Sequence, residues 1–149
     1  AFVAETLRFA PAIDGWLRVT TRDVTVGAVT IPAGARCLLL IGAANRDPAA
    51  FQDPDRFDPH RPDVGNHLSF GHGPHFCIGA GLARLEAGIA ISRLAQTIPG
   101  LRLSPEQHRS YKPNVAFRAH RRLLATIDIP ASSDEPVARG GATAEVRAG

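Results

Sequence analysis

The stretch FGHGPHFCIG, residues 70–79, constrains this chain more than any other. It sets three glycines and a proline around one of only two cysteines, and the longest apolar-periodic segment follows at once. Backbone of this composition does not sit inside a helix or a sheet. It turns tightly and lets the main chain approach something closely. The fold therefore has to present a loop, with Cys77 at its end, from the mouth of a helix.

That helix is expected over Ile78 to Ile98. Ile78, Leu82, Leu85 and Ile89 recur at spacings of three and four, and Pro99-Gly100 ends the run. A first helix is predicted from Ala1 to Phe9, stopped by Pro11, followed by a turn at Ile13–Gly15. Strands are predicted at Leu17–Thr20, Val24–Val26, Val29–Ile31 and Arg36–Ile41, with Gly27-Ala28 and Pro32-Ala33-Gly34 as hairpin connections. Between Asn45 and Gly73 the chain is rich in Asp, Pro, Arg and Gly, with one short helix expected near Pro48–Phe51. An irregular stretch that long inside a domain is usually functional or wrapped around something. Strands are expected again at Leu101–Leu103, Asn114–Phe117 and Leu123–Ile129. From Ala131 onward small residues and charge dominate, so 1–130 reads as an α+β domain and 131–149 as a disordered tail.

Composition narrows the function classes. The chain has 149 residues, 44% of them hydrophobic, and no apolar run long enough to cross a membrane. Its net charge of +3 is scattered rather than striped, so nucleic acid is not an implied partner. No secretory signal opens the chain, and Cys37 lies in an apolar strand-like run. Reduced thiols in the cytoplasm are the expectation. The chain contains no methionine, even at position 1, and begins on what reads as mid-helix, so a piece of a longer protein is expected.

A thiolate is a strong ligand for iron or zinc, but a free thiol is mostly protonated at neutral pH. A bound metal and the positive end of a helix beginning near Ile78 would both favour the thiolate, and the unpaired first-turn N–H groups would be free to donate to it. Residue types alone leave three readings of Cys77 open: a small buried side chain, a zinc ligand in company with His67, His72 and His75, or a ligand to iron. Structural zinc sites usually pair their ligands as CxxC or HxxxH, and neither spacing occurs here. Likewise Glu5 and Arg8, three apart, share a helix face. Alone they would be a surface pair worth a few tenths of a kcal/mol.

The whole pattern Phe70-x-x-Gly73-x-x-x-Cys77-x-Gly79 resembles the haem-binding signature of the cytochrome P-450 family, the haem-thiolate monooxygenases. Ala80-Gly81-Leu82-Ala83-Arg84-Leu85-Glu86 is similar to the start of that family's proximal helix. The order of elements, with Glu5-x-x-Arg8 on the first helix and Ala44-Asn45-Arg46-Asp47-Pro48 before the irregular stretch, resembles the C-terminal part of a bacterial, soluble member. The resemblance runs from Phe2 to about Ile129 and implies the C-terminal portion of that mostly helical fold.

The resemblance implies haem b, held by Cys77 as the iron ligand, with Phe70, Gly71, Gly73 and Gly79 shaping the loop around it. His75 and Arg18 would meet the haem propionates, and Ile13 would be an apolar wall toward substrate. Glu5 and Arg8 would form a buried triad with an arginine of the irregular stretch, Arg61 first and Arg56 second. The implied activity inserts one oxygen atom from O2 into a small organic substrate. Electrons would come from a ferredoxin or flavodoxin-type partner with its NAD(P)H reductase. The distal helix and most of the pocket lie outside this sequence, so the chain alone is expected to be inactive. A vestigial haem-binding module and a zinc-stabilised binding domain are the competing readings.

Overall fold

Helix α1 (Phe2–Phe9) ends against Pro11: Ala10 still gives its N–H to the Thr6 carbonyl at 2.9 Å, and proline has none to give. Its buried side chains are Glu5 and Arg8, stacked one turn apart on one face. The structure, a computed structural model, describes residues 1–127 and 142–147. The chain divides into two compact units, Ala1–Ala80 with Asn114–Arg118, and Gly81–Pro113 with Ala119–Gly149.

In the first unit β1 (Gly15–Val19) pairs antiparallel with β4 (Arg36–Leu40), which sets Arg18 opposite Cys37. Strands β2 (Val24–Val26) and β3 (Val29–Ile31) form a hairpin across Gly27-Ala28. A two-residue turn of this kind needs positive φ, and Gly27 supplies 58°. The hairpin expected at Pro32–Gly34 does not form. β3 leads into β4 without pairing with it, and Gly34 gives its N–H to Thr20 instead.

A short helix, α2 (Ile41–Ala44), follows β4 directly. The helix expected near Pro48–Phe51 is a turn, because Asp47 captures the local amides: its Oδ1 accepts from Ala49 and its carbonyl from Phe51, each at 2.9 Å. From there to residue 79 the chain is irregular, with single 3₁₀ turns at Val64–Asn66 and Gly73–His75. The strand expected at Asn114–Phe117 reduces to one bridge, Phe117 with Ile13. Asn114 Oδ1 accepts the N–H groups of Ala116 and Phe117 and curls the segment into an Asx turn.

The core of this unit is polar. Apart from Pro11, the buried apolar side chains among the described residues are Phe51 and Ala80, whereas Glu5, Arg8, Asn45, Arg61, His67 and Ser104 are buried. All but Ser104 of these polar groups belong to the first unit.

Helix α3 (Ala80–Thr97) begins two residues later than the periodicity predicts, because Ile78 and Gly79 form the turn that leaves the cysteine loop. After it, β5 (Leu101–Leu103), β6 (Arg122–Ile127) and β7 (Ala142–Arg147) make an antiparallel sheet in the order β5-β6-β7. Residues 142–147, within the stretch expected to be a tail, form β7. That segment pairs residue by residue with β6, from Ile127 opposite Ala142 to Arg122 opposite Arg147, and meets the edge that β5 leaves open. The rest of that expectation, with the predicted end of the strand at Asp128-Ile129, lies outside the described residues.

Candidate functional site

The cysteine loop closes on itself. Cys77 gives its N–H to the Phe70 carbonyl at 2.9 Å, Phe76 to Gly73 at 2.9 Å, and Gly71 to Leu68 at 2.8 Å. Gly71 and Gly73 sit at φ 76° and 73°, where a side chain would strain the backbone. Gly79 is not in that region. A Cβ there would rest 3.8 Å from the Cys77 sulfur, in ordinary contact. The Cys77 carbonyl accepts the Ala80 N–H at 3.2 Å and so starts α3. Both cysteines are free thiols, Cys77 exposed and Cys37 half-buried.

The exposed face of this loop opens on a cavity of about 850 Å³ within the first unit. Of the residues singled out in the sequence, Phe70, Gly71, His75, Cys77 and Arg18 line it, and so does Ile13. Gly73 and Gly79 shape the loop without lining it. His72 is also on the wall, as are Leu39 and Ile41 of the small sheet and α2. Arg18 lies 5.7 Å from the Trp16 ring and donates to the Leu17 carbonyl at 2.9 Å. Phe70 packs near His67 and Phe76, with ring centroids 5.9 and 6.4 Å away.

This donor set can be tested against haem and against a bare metal ion. One thiol on a mainly apolar wall, with an arginine and a histidine on the same wall, suits a large apolar ring carrying anionic groups. The volume is that of a cofactor site, typically about 300–1,000 Å³. A zinc ion would need converging ligands. Among the described residues no group of three or more His, Cys, Asp or Glu side chains can hold a metal ion. His67 is buried, with Nδ1 accepting the Ser69 N–H at 3.2 Å. The loop residues therefore fit haem and do not make a zinc site.

Beneath the loop lies a buried ion cluster. Arg8 and Glu5 pair side by side, Nε to Oε2 at 2.7 Å and Nη2 to Oε1 at 2.8 Å. Arg61 adds a third contact, Nε to Glu5 Oε1 at 3.3 Å. All five Arg8 donors are used, since Nη1 reaches the carbonyls of Asn45 and Pro54, and Nη2 that of Arg56. Arg61 likewise donates to the carbonyls of Gln52, Asp53 and Arg56 and to the Asp63 carboxylate. Two arginines thus pin the irregular chain over 45–63 by its carbonyls. Burial by itself raises the Glu5 pKa. The hydrogen bonds from Arg8, the Asp58 N–H and Arg61 outweigh it and hold the carboxyl down at about 2. Asp63 is opposed by burial in the same way and is also held below its ordinary range, by the Gln52 N–H and Arg61. Arg56 contributes its carbonyl only. Its guanidinium is 71% exposed and lies 3.9 Å from Asp58.

Sequence reasoning missed the joint between cluster and loop. Asn45 belonged to a recognisable string, Ala44 to Pro48, but nothing in the string told which atoms it would reach. Its side chain is fully buried and touches the chain just before Phe70.

Comparison with known proteins agrees with this architecture. The family model described as Cytochrome P450 matches residues 1–113. The biotin biosynthesis cytochrome P450 of Bacillus subtilis is 46% identical over 126 residues, which cover 85% of this chain and 31% of the relative. Cytochrome P450 107B1 of Saccharopolyspora erythraea is 50% identical over 124 residues, covering 81% and 30%. Among solved structures, P450BioI in complex with an acyl carrier protein ligated to hexadec-9Z-enoic acid superposes with a TM-score of 0.78 at 45% identity, over 84% of this chain and 32% of that one. CYP109E1 from Bacillus megaterium, in complex with testosterone, superposes at 0.80 with 32% identity. The chain belongs to the cytochrome P450 family. It spans about a third of the length of the relatives it matches. Among the described residues no helix is long and apolar enough to cross a membrane.

Proposed function

We propose that this chain is the thiolate-bearing portion of a haem-dependent monooxygenase. Cys77 Sγ is the iron ligand. Its loop presents the sulfur at the end of a tight turn, and the same backbone leads straight into α3. Phe70 would pack against the bound haem, and His75 and Arg18 would meet its propionates, whose charge needs partners once buried. Ile13 and Trp16 exclude water on the facing wall. Bound there, the haem supplies activation of O2, which a thiolate ligand favours by pushing electron density toward the iron. The whole protein would pass one oxygen atom to a small organic substrate in the cytoplasm. Its electrons would come from a ferredoxin or flavodoxin-type protein with an NAD(P)H reductase. Within this reading the 149 residues by themselves do not turn over substrate.

The observation that carries this reading is the convergence of Cys77, Phe70, His75 and Arg18 on one cavity, from a loop and a strand far apart in sequence. The test is a hemin titration of the 149-residue chain, followed by reduction and carbon monoxide. A far red-shifted ferrous–CO band is expected, retained in Cys37→Ser and lost in Cys77→Ser. A native spectrum that Cys77→Ser leaves unchanged overturns the assignment.

A further inference from the structure

Asn45 lies outside the cavity wall, yet it is the joint through which the ion cluster reaches the cysteine loop. Its side chain is 0% exposed. Oδ1 accepts the Leu68 N–H at 2.7 Å, and Nδ2 donates to Ser69 Oγ at 2.9 Å. The Asn45 carbonyl accepts Arg8 Nη1 at 2.8 Å, and its N–H reaches the Ile41 carbonyl at 3.0 Å. Ser69 Oγ then donates to the Leu7 carbonyl of α1 at 2.7 Å, so the hydroxyl accepts one bond and donates another. Leu68 and Ser69 are the two residues before Phe70. The Leu68 carbonyl takes the Gly71 N–H, and the Phe70 carbonyl takes the Cys77 N–H. A continuous run of hydrogen bonds and two peptide links therefore connects Glu5 and Arg8 to the residue that carries the thiol.

We propose that Asn45, through Leu68 and Ser69, is a positioning residue that sets the cysteine loop in register on the buried ion cluster. The chemistry explains why an amide is needed. The site demands an acceptor toward a backbone N–H and a donor toward a hydroxyl whose own proton is committed elsewhere. Leucine would leave the Leu68 N–H buried without a partner. Residues 72–78 are exposed, and the hydrogen bonds from Gly71, Phe76 and Cys77 tie the loop to itself, so its entry at Leu68 and Ser69 is where Asn45 fixes it to the ion cluster. Only the consequence for the metal site rests on the haem assignment above; the ordering of the loop does not.

The test is amide hydrogen exchange on the full chain without haem. In Asn45→Ala the Leu68, Gly71 and Cys77 amides are expected to exchange at least tenfold faster, while the β1–β4 ladder changes less than threefold. Asn45→Asp keeps the acceptor for Leu68 and is expected to hold its exchange within threefold of native. Loop amides unchanged in Asn45→Ala, or rising only in step with the ladder, overturn the proposal. Should Asn45→Ala not fold, Ser69→Ala decides by the same two criteria. A hemin titration separates this claim from the haem assignment. A native chain with no thiolate-type CO band, but with the exchange contrast intact, removes the haem assignment and leaves the clamp. A band of native position and yield in Asn45→Ala, despite a loosened loop, overturns the positioning role.

Discussion

Around Glu5 this chain buries charge, and along α3 it leaves apolar side chains in solvent. Glu5 and Arg8 are fully buried, and Arg61 is 7% exposed. On α3, Leu82, Leu85 and Ile89 are 60, 59 and 54% exposed. The first arrangement is tolerable because every charged atom has partners close by, so the cost of leaving water is offset by hydrogen bonds. The second is a sustained apolar stripe that stays more than half exposed. The solved relatives carry the same fold over this stretch as part of much longer chains. What the difference teaches is that the polar cluster satisfies its own groups, whereas the apolar helix face keeps most of its surface in solvent. Local order and stability should therefore depend on the first and be nearly indifferent to the second.

The sharpest way to break that comparison is to remove half of the ion pair. Arg8→Ala takes both Arg8 contacts from Glu5 and removes a donor from three backbone carbonyls, those of Asn45, Pro54 and Arg56, and should cost about 3–5 kcal/mol, as breaking a buried pair does. Urea unfolding followed by circular dichroism measures it. Arg8→Lys should not rescue, because an ammonium cannot reproduce the planar five-donor fork. A loss under about 1 kcal/mol would mean the cluster is ornamental.

Acid acts on the same carboxylate. With Glu5 held at about 2, against an ordinary 4.5, its stabilisation is complete above about pH 4.5 and is lost as pH falls toward 2. Unfolding midpoints across that window should fall steeply in the native chain and less steeply in Glu5→Gln. Equal slopes would show that Glu5 is not the group being protonated.

Arg61 and Arg56 sharpen the comparison inside the loop. Arg61→Ala removes charge-assisted bonds from a buried acceptor and should cost about 1.5–3 kcal/mol. Arg56, whose side chain points to solvent, should change stability by less than about 0.5 kcal/mol when replaced by alanine. Smallest of all, Leu85→Lys on α3 should also stay within about 0.5 kcal/mol while reducing binding of a hydrophobic dye. A large destabilisation there would mean the helix face is covered after all.

Much of the site was legible in advance. Gly71, Gly73 and Cys77 announced a tight loop because their residue types permit little else, and the spacing of Glu5 and Arg8 placed both on one helix face. The choice of Arg61 over Arg56 came from the family resemblance, which puts the Phe57–Arg61 segment where the third member of the triad should be. Burial and the contact to Glu5 separate them, since both lie in irregular chain where the direction of a side chain follows no period. The expected strand at Asn114–Phe117 failed because one side-chain amide outcompeted the ladder. The pairing of 142–147 with β6 carried no sequence signal because that edge is a tertiary feature.

By itself, then, the sequence determined what is local: the turn chemistry of residues 70–79, the helical run that becomes α3 and the stop at Pro11. Only the tertiary structure decided what faces what. It brought Arg18 from a strand onto the same wall as Cys77, and it turned Asn45 into the joint beneath the loop. The physical reason is range. Backbone conformation follows from neighbours a few residues away, whereas a hydrogen bond across 23 residues, as between Asn45 and Leu68, exists only once the chain between them has folded.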